Sequence, residues 1–527
     1  MPHPEQDQGS RMQAWAIAVV SVLGLVTLFV LRFTSGKLTR SFLNDIPDIV
    51  IGITLWLALT LLTQRPASSA LLWTVLAAGL LLADHTKRQV LREPVVFADA
   101  SELFLVFTHP RFYLPYVHPA VFYGIGGTLV LATAWLFSVE PPAMPAHPVL
   151  SRVAGALLLA VPIGAYFWRP SLNIMAKVLR KFGPSGDPVL DAQKLGMLGS
   201  FAAHTVCSRQ ERPERQAACS FGIVTVPADK PPVVLVQAES FFDIGRLDPT
   251  QPSPLTEYMA CRDRAWRHGH LNVDSWGANT TRSEFAVISG ASPSDLGLDR
   301  FNPYYSFARR PLDTLAARMR QAGYLTVCVH PYDRRFYGRH KVMPNLGFDQ
   351  FIGGEAFDAP HGHLVPDEVL GAWINNFVDR QTQPVFVFAI TVANHGPWPA
   401  QATTPGPLAE KLGGYLDSLM ATDRMIGQLA SSSWLNDKGG IFALYGDHQP
   451  ALPALTQGHF NINSSTDYFI LDTAHPIDRS RNDIDVHMLG HSVAKRLMER
   501  RLKTRNIIDS SHSIDSHRGS IGTLFDQ

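Results

Sequence analysis

Pro232-Val233-Val234-Leu235-Val236-Gln237 is an apolar run closed by one glutamine and followed by Ala238 and the carboxylate Glu239. It is too short to cross a bilayer and too continuous for a strand with one wet face, so it reads as a strand buried on both faces. Three further runs share this character: Tyr324–Val329, Pro384–Thr391 and Gly440–Tyr445. Helix-like segments stand among and after them at Pro311–Ala322, Pro366–Arg380, Leu408–Ser431 and Val486–Leu502. Buried strands alternating with helices predict an α/β domain with a mainly parallel central sheet.

In such sheets ligands bind beyond the carboxyl ends of the strands. The residues after the four runs are Glu239-Ser240-Phe241-Phe242-Asp243, His330 through Arg339, Ala393-Asn394-His395-Gly396-Pro397, and Gly446-Asp447-His448-Gln449-Pro450. Carboxylate, imidazole and guanidinium groups thus gather at one sheet edge. A Glu, an Asp and a His collected this way suit one divalent metal with oxygen-rich coordination, such as Mn²⁺, Mg²⁺ or Zn²⁺. A lone carboxylate at a strand end is more often a helix cap. Asp447-His448 is more specific, because Gly446 permits a sharp turn there.

Gly277-Ala278-Asn279-Thr280-Thr281-Arg282-Ser283-Glu284-Phe285 offers a nucleophile. A threonine hydroxyl is weak in that role unless a base or metal activates it. A hydroxyl before a helix is ordinarily a cap, and Thr281 with Glu284 fits a capping box. From these residues alone both readings stand.

Nearly all long apolar runs precede residue 170. Five, at roughly 13–31, 46–63, 67–83, 120–138 and 149–168, approach the ~20 residues a membrane helix needs. Asp48 lies within the second and Arg152 within the fifth. The first has no small-residue cleavage site before the second begins, so it reads as a retained helix. With five spans and the N-terminus inside, basic residues collect in the outside loops, against the positive-inside rule. A partly inserted sixth segment near 94–108 would relieve this, although Asp99 and Glu102 oppose a full span. The expected organisation is a transmembrane domain at 1–170, a connector at 171–224, a catalytic domain at 225–503 and a polar tail at 504–527.

A formal net charge of +1 gives no basic signature of nucleic-acid binding. The four cysteines form no zinc motif. Cys207 and Cys219 flank a polar stretch where an extracytoplasmic disulfide or two free thiols are equally compatible with the sequence, while Cys328 reads as core.

The ordered set of Glu239, Thr280 with Glu284-Phe285 behind it, His330 through Arg339, His395 and Asp447-His448 resembles the lipoteichoic acid synthase family, a branch of the sulfatase and alkaline phosphatase superfamily. The resemblance covers about 225–475, and several spans before it match that family's architecture. It implies that Glu239, Thr280, Asp447 and His448 coordinate one divalent metal, typically manganese, and that Thr280 is the nucleophile. It also implies that His330, Arg339 and His395 bind a phosphoglycerol group, with Tyr337 where an aromatic residue is found. The implied reaction moves phosphoglycerol from a phospholipid, phosphatidylglycerol first among them, to a glycan. The implied location is a bacterial inner membrane with the catalytic domain outside the cytoplasm.

There are departures. Tyr332 stands where the family has an acidic residue, Gly338 replaces Asn before the arginine, and Asp447-His448 continues as Gln449-Pro450. No cysteine has the Cys-x-Pro-x-Arg context of a sulfatase nucleophile. Phosphoethanolamine transferases usually continue Asp-His with Gly-Glu and carry more disulfides. That headgroup is one rival reading; a non-catalytic sensor or assembly protein with this fold is the other.

Overall fold

The computed structural model describes residues 42–116, 120–143, 146–358, 364–405, 408–452, 455, 463–474 and 480–502. Contacts divide the chain into two compact units, Met1–Pro213 and Glu214–Gln527.

The described residues of the first unit are mainly helical, and among them three helices are long and apolar enough to cross a membrane: Leu43–Thr63, Pro66–Leu91 and Pro148–Phe167. They correspond to the second, third and fifth expected spans. The span expected at 13–31 and the tail at 504–527 lie outside the described residues. The fourth expected span, 120–138, differs from a regular crossing helix. It is a π-helical turn, Ala120–Gly126, followed by a 13-residue α-helix, Gly127–Val139. The segment expected at 94–108 holds a 3-10 turn, Phe97–Ser101, and a six-residue helix, Leu103–Thr108, too short to cross.

The carboxylates in this apolar region have defined work. Asp48 Oδ1 accepts the Leu198 and Gly199 amides at 2.7 and 3.1 Å, capping helix Met197–Ala218. Glu140 does the same for helix Pro66–Leu91, accepting the Ala67 and Ser68 amides at 2.9 and 2.8 Å. Orphan amides and the positive end of the helix dipole satisfy each charge away from lipid. The expected connector is also helical, with Arg169–Arg180 and Pro188–Leu195 preceding Met197–Ala218. Cys207 and Cys219 are free thiols.

The second unit is built on one sheet. Its strands are β1 (Val233–Ala238), β2 (Arg267–Asn272), β3 (Leu325–Val329), β4 (Gln350–Ile352), β5 (Val385–Ile390), β6 (Ile441–Gly446), β7 (Thr466–Asp472), β8 (Ser480–Arg481) and β9 (Ile484–Asp485). Their order is β4-β3-β5-β1-β6-β7-β2-β8, with β9 also on β2. Only β7 runs against the rest. The four strands read from apolar runs are β1, β3, β5 and β6. Strand β2, Arg-His-Gly-His-Leu-Asn, lies between β7 and the short strands β8 and β9 and has no apolar run to announce it.

Every residue of β1, β5 and β6 is buried. Val234, Val236 and Ala238 face one hydrophobic cluster, and Val233 and Leu235 face the other. Burial on both faces is why these strands lack alternation; each large apolar side chain so buried contributes roughly 1.5–3 kcal/mol. The helix expected at Leu408–Ser431 is broken at Gly413 into Ala409–Leu412 and Gly414–Ala430, because Gly413 has φ +56°. The final helix occupies 487–502.

Gly446 is required for a different reason from the turn expected of it. It is the last residue of β6, paired with Ala238 of β1. A Cβ there would lie 1.8 Å from the Phe241 carbonyl oxygen, so the chain leaving β1 passes directly over it. Gly446→Ala should therefore destabilise the second unit by about 3 kcal/mol or more, since the obstacle is backbone. Thermal unfolding of the purified variant checks this; a melting temperature equal to the parent's would contradict it.

Candidate active site

β1 and β6 are adjacent and parallel, so the residues just beyond them, Glu239 and Asp447, emerge side by side. Ser240 turns the chain with φ +54°. Its amide donates to Asp447 Oδ1 at 2.8 Å, and the His448 amide donates to the same oxygen at 2.9 Å. Asp447 Oδ2 is buried and accepts no hydrogen bond from the described residues, although His448 Nε2 lies 3.3 Å away. His448 Nε2 is also 3.4 Å from Glu239 Oε1. The ligand atoms of Glu239, Asp447 and His448 all lie within 4.8 Å of one another.

The electrostatics of this trio are costly. Burial raises the Glu239 carboxyl, and the nearby His448 opposes the shift. Burial and then the Glu239 charge push Asp447 up to about 7. Burial works against His448 protonation, but Asp447 and Glu239 outweigh it and raise that imidazole. Two carboxylates out of water hold protons unless a cation replaces them. His448 Nδ1 faces the Gln449 carbonyl at 3.1 Å, so it carries the hydrogen and leaves the Nε2 lone pair toward the carboxylates. An orphan carboxylate oxygen, a second carboxylate and an aimed imidazole nitrogen fit a divalent cation.

Thr280 Oγ lies 3.4 Å from both Glu239 Oε2 and His448 Nε2. Two tethers bring it there. The Gly277 amide donates to the Gln449 carbonyl at 2.9 Å, and Ser283 Oγ donates to the Asp447 carbonyl at 2.7 Å. Thr280 is the first residue of helix Thr280–Ser289, whose ten residues are all buried. Asn279 occupies the cap position with φ +72° and makes no side-chain cap bond. The capping box considered for Thr281 and Glu284 does not form. The Glu284 carboxylate instead pairs with Arg339, Nε to Oε2 at 3.1 Å and Nη2 to Oε1, and accepts Tyr304 Oη at 2.8 Å.

His330 and Arg339, both buried, form a second polar group beyond β3. His330 Nδ1 lies 3.1 Å from the Ile390 carbonyl, which fixes the hydrogen on Nδ1. Burial and then the Arg339 charge hold this imidazole well below its usual range, so it is neutral at pH 7. His330 Nε2 and Arg339 Nη1 are buried without hydrogen-bond partners among the described residues. Tyr337 and Gly338 take left-handed backbone, φ +54° and +68°, at the turn into helix Arg339–Asn345. The Arg339 guanidinium lies 5.2 Å from the Tyr337 ring centroid. His395 is half-buried, with Nδ1 2.7 Å from the Gly396 carbonyl. Its neighbour Asn394 ties the loop to the trio by donating to the Glu239 carbonyl at 3.1 Å.

Sequence reading passed over several supporting residues. Thr391 Oγ accepts the Glu239 amide at 2.9 Å, Tyr415 Oη donates to the Ser240 carbonyl at 2.8 Å, and Tyr304 holds Glu284. Thr391 stood at the end of a recognised strand, which was its only signal. Tyr304 and Tyr415 lie in segments with no motif.

A hydroxyl stands beside a buried Glu-Asp-His trio whose donor set fits a divalent cation, at the carboxyl edge of a mainly parallel sheet. Residues 231–489 match the sulfatase family model. That region of the chain is sulfatase-like. It is 27% identical over 428 residues to the capsular polysaccharide biosynthesis protein RkpI of Rhizobium meliloti (strain 1021), covering 77% of this chain and 78% of that one. It is 26% identical over 348 residues to a "Putative cyclic beta-1,2-glucan modification protein" of the same organism, covering 62% of this chain and 53% of that one. Among solved structures, the lipooligosaccharide phosphoethanolamine transferase A of Neisseria meningitidis aligns at TM-score 0.49 and 12% identity, over 90% of this chain and 94% of that one. The lipoteichoic acid synthase LtaP of Listeria monocytogenes aligns at TM-score 0.41 and 18% identity, over 53% and 78%.

Cation binding to the trio must displace protons, Asp447's first among them. Affinity for Mn²⁺ or Zn²⁺ should therefore weaken as pH falls through about 7, where Asp447 takes up its proton. Calorimetric titration in buffers of different ionisation enthalpy should register proton release near pH 6 that shrinks above pH 8. Affinity independent of pH over that range would contradict the assignment.

Proposed function

We propose that this chain is a membrane-anchored phosphotransferase that moves phosphoglycerol from a phospholipid to a glycan through a phosphothreonine intermediate on Thr280. The observation that carries the reading is the position of Thr280 Oγ, 3.4 Å from both Glu239 Oε2 and His448 Nε2. A nucleophile and its activating groups need this proximity.

Glu239, Asp447, His448 and Thr280 would hold one divalent cation, with manganese the expected ion. When bound, it supplies positive charge that acidifies the hydroxyl and offsets charge developing on the phosphoryl oxygens. Thr280 Oγ forms the new bond to phosphorus as the bond to the diacylglycerol oxygen breaks, and that oxygen leaves with a proton as diacylglycerol. A glycan hydroxyl then attacks the same phosphorus, its bond to Thr280 breaks, and Thr280 recovers its proton. Arg339 Nη1 is a pre-placed cationic donor for a phosphoryl or headgroup oxygen. His330 Nε2, neutral and lone-pair bearing, accepts from a glycerol hydroxyl, with Tyr337 and His395 closing the headgroup side.

The His330 and Arg339 pair supports phosphoglycerol over phosphoethanolamine. An ammonium group there would face a guanidinium whose carboxylate partner, Glu284, is already engaged. The two relatives concerned with capsular polysaccharide and cyclic glucan support a glycan acceptor. The three long apolar helices among the described residues support a place in the membrane that holds such a donor. A bacterial inner membrane, with the second unit outside the cytoplasm, follows from that chemistry.

Thr280→Ala should keep its melting temperature and lose at least about 10³-fold in diacylglycerol release from labelled phosphatidylglycerol vesicles supplied with Mn²⁺. Thr281→Ala, which alters the same turn, should stay within a few-fold of the parent. Peptide mapping after donor is added without acceptor should find phosphoglycerol on Thr280. Turnover by Thr280→Ala, or an adduct on Thr281, would refute the mechanism.

A further inference from the structure

Helix Arg169–Arg180 follows the membrane-length helix Pro148–Phe167 after a single extended residue, Trp168, with φ −90° and ψ 117°. Its sequence, Arg-Pro-Ser-Leu-Asn-Ile-Met-Ala-Lys-Val-Leu-Arg, divides into three facets at helical spacing. One faces protein: Leu172 and Ala176 are buried against Val206 of helix Met197–Ala218, with Met175 and Leu179 beside them. The second is apolar and uncovered: Ile174 and Val178, one turn apart, are 64% and 47% exposed. The third is polar, with Arg169, Asn173, Lys177 and Arg180 all exposed. Lys177 and the following Lys181, also one turn apart, border the uncovered apolar facet.

The helix is held firmly. Arg180 Nη2 donates to Glu211 Oε1 at 2.8 Å, tying its end to helix Met197–Ala218. At the other end Arg209 stacks on Tyr166 and Phe167, 4.6 and 4.7 Å from their ring centroids. Phe167 and Trp168, at the mouth of the crossing helix, are 63% and 66% exposed. Aromatic rings at a span's end, a backbone turn, then an apolar facet edged by lysines is the pattern of a segment lying in a bilayer interface.

We propose that the Ile174–Val178 facet lies in the headgroup region of the bilayer that Pro148–Phe167 crosses, with Lys177 and Lys181 on anionic phospholipid headgroups. Two observations commit it to lipid: continuity with the crossing helix, and basic side chains at the facet's edge where headgroup phosphates would lie. Because the helix is already ordered against Val206 and Glu211, binding lipid costs it little conformational entropy. The proposal does not depend on which group the second unit transfers, and its test reads no activity.

The test uses the full chain in vesicles of phosphatidylcholine, with or without phosphatidylglycerol. Cys219→Ser removes the half-buried thiol, and the other three cysteines are buried. Spin labels go on single cysteines at Ile174, Val178 and, as control, Asn173. Labels at 174 and 178 should collide with dissolved oxygen more than with a water-soluble nickel complex, and the label at 173 should show the inverse ratio. Adding Lys177→Glu and Lys181→Glu should move the 174 label toward water in phosphatidylglycerol vesicles and leave it unmoved in pure phosphatidylcholine. Water-like ratios at 174 and 178 would overturn the proposal. Spin–spin broadening at 174 that vanishes on dilution with unlabelled protein would overturn it in favour of a second copy. Immersion indifferent to both lysines and phosphatidylglycerol would overturn the anionic-headgroup assignment.

Discussion

Glu239 and Asp447 are held side by side, out of water, because the strands that deliver them are adjacent and parallel. Two buried carboxylates repel, and each loses several kcal/mol of hydration. The surrounding structure offsets part of this mainly from one side. The Ser240 and His448 amides satisfy Asp447 Oδ1, while Oδ2 accepts no well-formed hydrogen bond from the described residues and has the His448 imidazole and the Thr280 hydroxyl nearby. The unsatisfied side is the side on which Thr280 stands. Stability is given up locally where a cation would restore it, as catalytic sites commonly do.

A second electrostatic unit sits beside the first and is built on the opposite principle. Glu284 and Arg339 form a fully buried ion pair, and Tyr304 takes a further position on the carboxylate. Carboxylate and guanidinium offset one another there. Among the described residues, Arg339 Nη1 and His330 Nε2 are left without hydrogen-bond partners, a donor and an acceptor. In the proposed reaction the first electrostatic unit would serve chemistry at phosphorus and the second would recognise a neutral polar headgroup. Helix Thr280–Ser289 joins them, since it carries Thr280 at its first turn and Glu284 one turn on.

In the first unit the same physical problem, charge in apolar surroundings, is met by helix ends. Asp48 and Glu140 each take two backbone amides from a helix start. Asp48 therefore does not weaken the case for a crossing helix at Ile46–Thr63; its carboxylate belongs to the N-terminus of helix Met197–Ala218. Gly196, with φ +80°, lets the chain pass close: a Cβ there would fall 2.3 Å from the Asp48 carboxyl carbon.

The sequence by itself determined the α/β class, the four central strands and the residues that follow them. Continuous Val, Leu, Ile and Phe runs have no stable home except strands covered on both faces, and ligand chemistry gathers where such strands end. It also determined that the chain has membrane-length apolar segments. Tertiary structure decided the rest. Strand β2 was invisible because it is held by pairing with β7, β8 and β9, not by an apolar pattern of its own. The capping box open to Thr281 and Glu284 turned on where Glu284 points, and that depends on Arg339, 55 residues away. The need for glycine at 446 lies in a backbone approach from Phe241, which local sequence cannot register. In each case the deciding contact joins residues far apart in the chain, and propensity and spacing carry no information about such contacts.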